Sequence, residues 1–241
     1  MSKKTSNNSN YILQGAILAT ASIIVRMIGL LYRIPLGRII GDVGNSYYSC
    51  AFEIYSLILL ISSYSLPLAV SKIVSARLGT GDRANINRIL KCALGFGLTV
   101  GVIGALVAYF GAEFLTGTVL NTPEGAICLR VLAPCILIMG VLGVIRGYFQ
   151  GHGTMIPTAV SQIIEQVVNA VVAVVAAMYL FDYGKKIDAV LGTDTAAPAY
   201  GASGSTLGTT LGALFALLFI GFLLVIFLKN EKKNSLRNTQ H

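Results

Sequence analysis

Residues 146–169, RGYFQGHGTMIPTAVSQIIEQVVN, set a glycine-broken polar segment directly before a long apolar helix, and the chain reads outward from that junction. Gly147 to Gly153 reads as a loop, with Pro157 soon after it. Proline fits a first helical turn, where its missing N–H would have had no partner, so the next helix is expected to begin near Pro157. From there Gln162, Glu165, Gln166 and Asn169 recur at intervals of three, four and seven. That spacing places all four on one face of a helix otherwise made of Val, Ile and Ala. Glu165 falls about 12 Å along the axis at 1.5 Å per residue. A carboxylate that deep in hydrocarbon costs about 2.5 kcal/mol or more unless it is paired or hydrated. The stripe can serve as hydrogen-bonded glue between helices or line a hydrated cavity for a polar cargo. Four polar residues exceed what packing needs, which favours the cavity.

The surrounding composition supplies the solvent. With 55% hydrophobic and 12% charged residues and a mean hydropathy of +0.75, the chain lies far from the roughly 25% charge of soluble domains. It reads as an integral membrane protein. Tyr11 to Tyr32, Tyr48 to Val70, Ile89 to Phe114, Gly125 to Ile145, Pro157 to Phe181 and Gly201 to Leu228 each reach the roughly 20 residues needed to cross a bilayer. The expectation is an all-α, polytopic bundle of six transmembrane helices over 11–228, with short tails at 1–10 and 229–241. A β-barrel is excluded, since its strands would be about ten residues long and would alternate.

Lys and Arg set the orientation, because positively charged loops stay in the cytoplasm. Of the 18 basic residues, twelve fall in the N-terminal tail, the segment Lys72 to Lys91, Arg146 and the C-terminal tail, while Arg33, Arg38, Lys185 and Lys186 fall on the other side. Both termini are therefore expected in the cytoplasm of a multi-pass plasma-membrane protein. The formal charge of +8 follows from this asymmetry and from contact with anionic membrane lipids, so no nucleic-acid partner is inferred. The start, MSKKTSNNSN, reads as a disordered polar tail before an uncleaved first helix.

Candidate binding residues lie within the spans. Arg26 and Arg33 are seven apart and share a face of the first helix, ahead of an expected break at Pro35 and Gly37. A guanidinium there is expensive against lipid but suits an anion, whose oxygens its planar fork can hold bidentately. Glu53, in the second helix, is the available internal partner; Pro67 is expected to kink that helix. Arg130 lies in the fourth helix, four residues before Pro134. Gly95, Gly97, Gly101 and Gly104, and Gly204, Gly208 and Gly212, read as seams for close helix packing. The four cysteines lack CxxC spacing and read as buried thiols, and His152 reads as a solvated loop residue. Asp182 to Tyr200 reads as a polar outer loop. No nucleotide loop, HExxH or comparable signature is present, so neither an enzyme nor a metal or cofactor is expected.

Two of these segments, VRMIGLLYRIPLGRIIG (25–41) and RGYFQGHGTMIPTAVSQIIEQ (146–166), resemble the multidrug/oligosaccharidyl-lipid/polysaccharide exporter superfamily. Within it the chain is similar to the polysaccharide biosynthesis and stage V sporulation protein B group, relatives of the lipid II flippase. The resemblance spans all six helices. It implies a flippase that moves a polyprenyl-pyrophosphate-linked oligosaccharide or peptidoglycan precursor by alternating access of two lobes. It also implies pyrophosphate-engaging arginines: Arg26 matches the first by its R-x-x-G context, and Arg33 the second at a spacing one residue longer. A further cavity arginine on the second helix has no counterpart here. Since superfamily members carry twelve to fourteen helices, the resemblance implies a single lobe that pairs with a second of six to eight helices, as a separate chain or second copy. Two other readings stay open. One is a multidrug/cation antiporter using Glu53 or Glu165; the other is a non-transporting, truncated scaffold subunit.

Overall fold

The computed structural model describes residues 2–63, 65–81 and 83–238, with side chains over 13–63, 65–81 and 85–231. Its elements are α1 (Ser2–Ser62), α2 (Leu66–Gly79), α3 (Arg83–Phe110), a π-helical turn (Phe114–Val119), α4 (Gly125–Gly151), α5 (Ile156–Leu191) and α6 (Ala196–Asn238). Among the described residues there is no strand. Among those same residues, five helical stretches are long and apolar enough to cross a membrane. The first of them, Leu13–Gly79, takes in most of α1, which breaks at Gly41 into two arms, 2–40 and 42–62, and all of α2. Gly41 has φ 68°, the left-handed region that glycine enters without a Cβ clash, so the chain turns there. Large apolar side chains such as Leu31, Ile61, Phe110, Tyr179 and Phe222 stay exposed on the outside of the bundle, as a lipid-facing surface requires.

Several sequence expectations shift. The first break lies at Gly41, and the helix passes through Pro35. Pro67 does not kink a continuous second span. The helix ends at Ser62, and α2 begins afresh with Pro67 in its first turn, where the missing N–H is harmless. The residues from Gly147 to Gly151 are helical, because α4 runs to Gly151. Those glycines permit close approach: a Cβ at Gly147 would run into the Pro67 carbonyl oxygen, and one at Gly151 would lie 2.7 Å from Val74 Cβ. The outer loop read over 182–200 shrinks to 192–195, since α5 and α6 extend as polar helices beyond their apolar windows. Asp188 organises this turn, its carboxylate accepting from the Ala196 and Ala197 N–H groups at 2.9 and 2.8 Å. The tails read at 1–10 and 229–241 continue helically from α1 and α6 as far as Ser2 and Asn238, and Asp82 of the expected GTGD turn lies outside the described residues.

The core centres on α4, where Leu129, Leu132, Ile136, Leu142 and Tyr148 are fully buried. Cys50, Cys128 and Cys135 are buried free thiols, while Cys92 is exposed on α3. His152 is not a solvated residue. Its side chain is only 8% exposed, its ring packs on Tyr148 and Phe227, and its Nε2 lies 3.9 Å from Glu231. The α6 glycines form the closest seam, against α5. Cβ atoms at Gly204, Gly208 and Gly212 would fall within 2.6 Å of the backbone at Ala176, Ala173 and Glu165. This seam fixes the rotation of α5, and with it the face that carries the polar stripe.

Candidate functional site

The inner faces of α1 and α5 line a half-open cavity of about 670 Å³. The first arm of α1 contributes Arg26, Gly29, Tyr32 and Arg33 at helical spacing, and the second contributes Tyr48, Phe52, Tyr55 and Leu59. Glu165, Gln166 and Asn169 face them from α5, and Thr209 from α6. Asn169 is buried and joins three helices, donating to the Tyr32 hydroxyl at 3.4 Å and accepting from Thr209 at 3.5 Å. These bonds are long, and their joint effect is to hold the amide in place.

A second, smaller space of about 380 Å³ adjoins the first and shares Val25, Arg26, Glu165 and Gln166 with it. Ser22, Arg146 and Gln162 complete its wall. Here Arg146 Nη2 meets Glu165 Oε2 at 2.7 Å, with side chains 9% and 23% exposed. Arg146 Nε also donates to Ser161 Oγ at 2.9 Å, and that hydroxyl donates to the Thr158 carbonyl at 2.8 Å. The charge-assisted bond to Glu165 and the bond to Ser161 offset part of the cost of burying this ion pair.

Of the residues singled out in the sequence, the structure gathers Arg26, Arg33, Glu165, Gln166 and Asn169 around the larger cavity and Gln162 around the smaller. It does not bring Glu53 or Arg130 to either lining. Glu53 is exposed on the second arm of α1, away from the face of Phe52 and Tyr55. Arg130 Nη2 instead pairs with Glu113 at 2.7 Å on the outside of the bundle. Arg26 and Arg33, by contrast, have no carboxylate within 4 Å among the described residues, and both face the cavity. The residue that sequence reasoning missed is Arg146, counted among the cytoplasmic cations because glycines flank it. A signal was present, since Arg146 and Glu165 lie in the same motif. The aromatic wall was also missed, although Tyr48, Phe52, Tyr55 and Leu59 follow a helical period.

Electrostatically, two guanidinium groups without a carboxylate partner among the described residues face an otherwise neutral space, since Arg146 and Glu165 offset each other. Tyr48, Phe52, Tyr55 and Leu59 provide an apolar wall beside those charges. Such a site suits an anion attached to an apolar tail.

Comparison with known proteins gives the family and the fold. Residues 12–240 match the family described as polysaccharide biosynthesis protein. The chain is 30% identical over 166 residues to the lipid II flippase MurJ of Bacillus subtilis, covering 65% of this chain and 30% of that protein. It is 29% identical over 204 residues to stage V sporulation protein B of the same organism, covering 85% and 37%. In structure it is similar to a MOP superfamily transporter from Pyrococcus furiosus, with a TM-score of 0.67, 19% identity, and coverage of 87% of this chain and 44% of that one. The chain thus spans about a third of the length of these curated relatives.

Proposed function

Because the chain belongs to the polysaccharide biosynthesis protein family, we propose that it forms one lobe of a flippase for a polyprenyl-pyrophosphate-linked oligosaccharide or peptidoglycan precursor. It would work in the plasma membrane, with both termini in the cytoplasm. The observation that carries the reading is the pair Arg26 and Arg33, unpaired with any carboxylate among the described residues and facing a 670 Å³ cavity. Their two positive charges balance a pyrophosphate diester, which carries one negative charge on each phosphate. The residues lie about 10 Å apart along the helix at 1.5 Å per residue, close enough for both long side chains to converge on one head group. A planar fork binds phosphate oxygens bidentately and keeps its charge in a low-dielectric setting, where a lysine would lose it more readily. The aromatic and aliphatic wall lies beside the prenyl chain, which stays in lipid.

Transport requires a second lobe, so the cavity would be exposed alternately to the two sides as the lobes rock, in the manner of parallel repeats about an axis along the membrane normal. The partner is a further six to eight helices, on a separate chain or a second copy. An organic cation is a poor cargo here, since Arg26 and Arg33 repel it and Glu165 is already engaged by Arg146. The test replaces the homologous segment of a full-length relative with this chain in a strain depleted of its lipid II flippase. Growth restored by the chimera and lost on Arg26→Ala supports the reading; growth undiminished by Arg26→Ala contradicts it.

A further inference from the structure

The smaller chamber differs from the main cavity in the polar groups it offers. A phosphate is recognised by donors alone, and a hydrocarbon chain by neither donors nor acceptors. This chamber carries both. Arg26 and the Gln166 amide supply donors, and a carboxylate and a second amide, Glu165 and Gln162, supply acceptors. Glu165 spends Oε2 on Arg146, which leaves Oε1 available. Gln162 Oε1 is buried without a hydrogen-bond partner. The last torsion of a glutamine is soft, so a small rotation can aim that oxygen into the chamber. Arg26 and Arg146 in the same wall disfavour a metal or organic cation. The volume of about 380 Å³ holds roughly a dozen waters at about 30 Å³ each, room for one hydrated sugar ring. Gly29 faces Gln166 from the wall of the larger cavity, where a Cβ would meet Gln166 Nε2 at 3.2 Å.

Arg26 lines both spaces, so a phosphate held by it would sit at the threshold of the chamber. We propose that the chamber is a specificity subsite for the first sugar attached to the pyrophosphate, with Gln162 accepting a hydrogen bond from a ring hydroxyl or acetamido N–H. The inference rests on the flippase reading above. It assigns head-group charge to Arg26 and Arg33, and sugar selection to the amide face of α5.

The test measures dissociation constants by native mass spectrometry of the full chain in nanodiscs. Three probes are compared: a polyprenol, the same polyprenyl pyrophosphate, and its pyrophosphoryl-N-acetylglucosamine derivative. The wild type is expected to bind the sugar-bearing probe about tenfold tighter than the bare pyrophosphate, the scale of one or two added hydrogen bonds. Gln162→Leu brings that ratio close to one. Gln162→Glu, which keeps shape and acceptor, retains the ratio while its added charge weakens both probes. Arg26→Ala weakens both probes and leaves the ratio standing. Melting temperature in detergent confirms that each variant is folded; if Gln162→Leu is not, the Gln162→Glu ratio carries the test alone. A wild-type ratio near one, a tenfold ratio surviving in Gln162→Leu, or a ratio lost in Gln162→Glu overturns the sugar subsite and leaves the flippase reading intact. A pyrophosphate that binds no better than the polyprenol overturns the flippase reading itself.

Discussion

Replacing Arg146 by Met strands the Glu165 carboxylate at the edge of the cavity. The two side chains are 9% and 23% exposed, so this is a largely buried pair. Removing one member of such a pair costs about 3–5 kcal/mol, because the remaining charge is left uncompensated. Glu165 keeps some access to the hydrated cavity, which places the expected loss near the lower end, about 3 kcal/mol. In a domain of this length each kcal/mol moves the melting temperature by about 2–4 °C, so Arg146→Met should melt about 6–12 °C below the wild type. The double variant Arg146→Met/Glu165→Met removes both charges and should recover most of that loss, so that its cost falls well short of the sum of the two single changes. In a Cys92→Ser background, which removes the exposed thiol, a thiol-reactive dye is a suitable reporter, because Cys128 and Cys135 are fully buried and become reactive only on unfolding. The stranded carboxylate also places an anion in the cavity, so Arg146→Met should weaken pyrophosphate binding while Glu165→Gln strengthens it. A single variant melting within 2 °C of the wild type, or a double variant whose loss equals the sum of the singles, would refute the reasoning.

Arg26→Ala should weaken binding of a bare polyprenyl pyrophosphate about thirtyfold, the equivalent of one charge-assisted hydrogen-bonded contact of about 2 kcal/mol. Arg26→Lys should restore part of it, because charge survives but the bidentate fork does not; calorimetry on nanodisc-embedded protein reads both. Gly212→Ala should destabilise the lobe by about 1–3 kcal/mol, since its Cβ would lie 2.5 Å from the Glu165 carbonyl oxygen. Gly221→Ala, with nothing within 4 Å of the new methyl, should leave the lobe as stable or slightly more so by thermal melting. A fluorescent protein fused after His241 should fluoresce, and alkaline phosphatase at the same place should stay inactive, if both termini are cytoplasmic.

The apolar windows were legible because each exceeds the length of a bilayer crossing, and the polar face of α5 because Gln162, Glu165, Gln166 and Asn169 keep the helical period. Glycines were ambiguous. At Gly41 the residue supplies a positive φ and breaks α1, whereas at Gly147 and Gly151 it lets α4 lie against α2. Composition alone does not separate these uses, so the break was expected at Pro35 and a loop at Gly147. The same ambiguity hid Arg146, whose partners come from a helix 15 and 19 residues further on. Hydropathy marks where a helix lies in hydrocarbon, not where its backbone hydrogen bonds stop, so α5 runs past Phe181 to Leu191 unannounced. Glu53 and Arg130 carry the same chemistry as Glu165 and Arg26; only the rotation of their helices, set by packing, keeps them from the cavity.

The most direct measurement compares a polyprenyl pyrophosphate, the parent polyprenol and a polyprenyl ammonium for binding to the full chain in nanodiscs. An anion-seeking cavity predicts that the pyrophosphate binds at least about tenfold tighter than the alcohol, that the ammonium binds worst, and that the order collapses in Arg26→Ala/Arg33→Ala. Equal affinity for all three, or a preference for the ammonium, would contradict it.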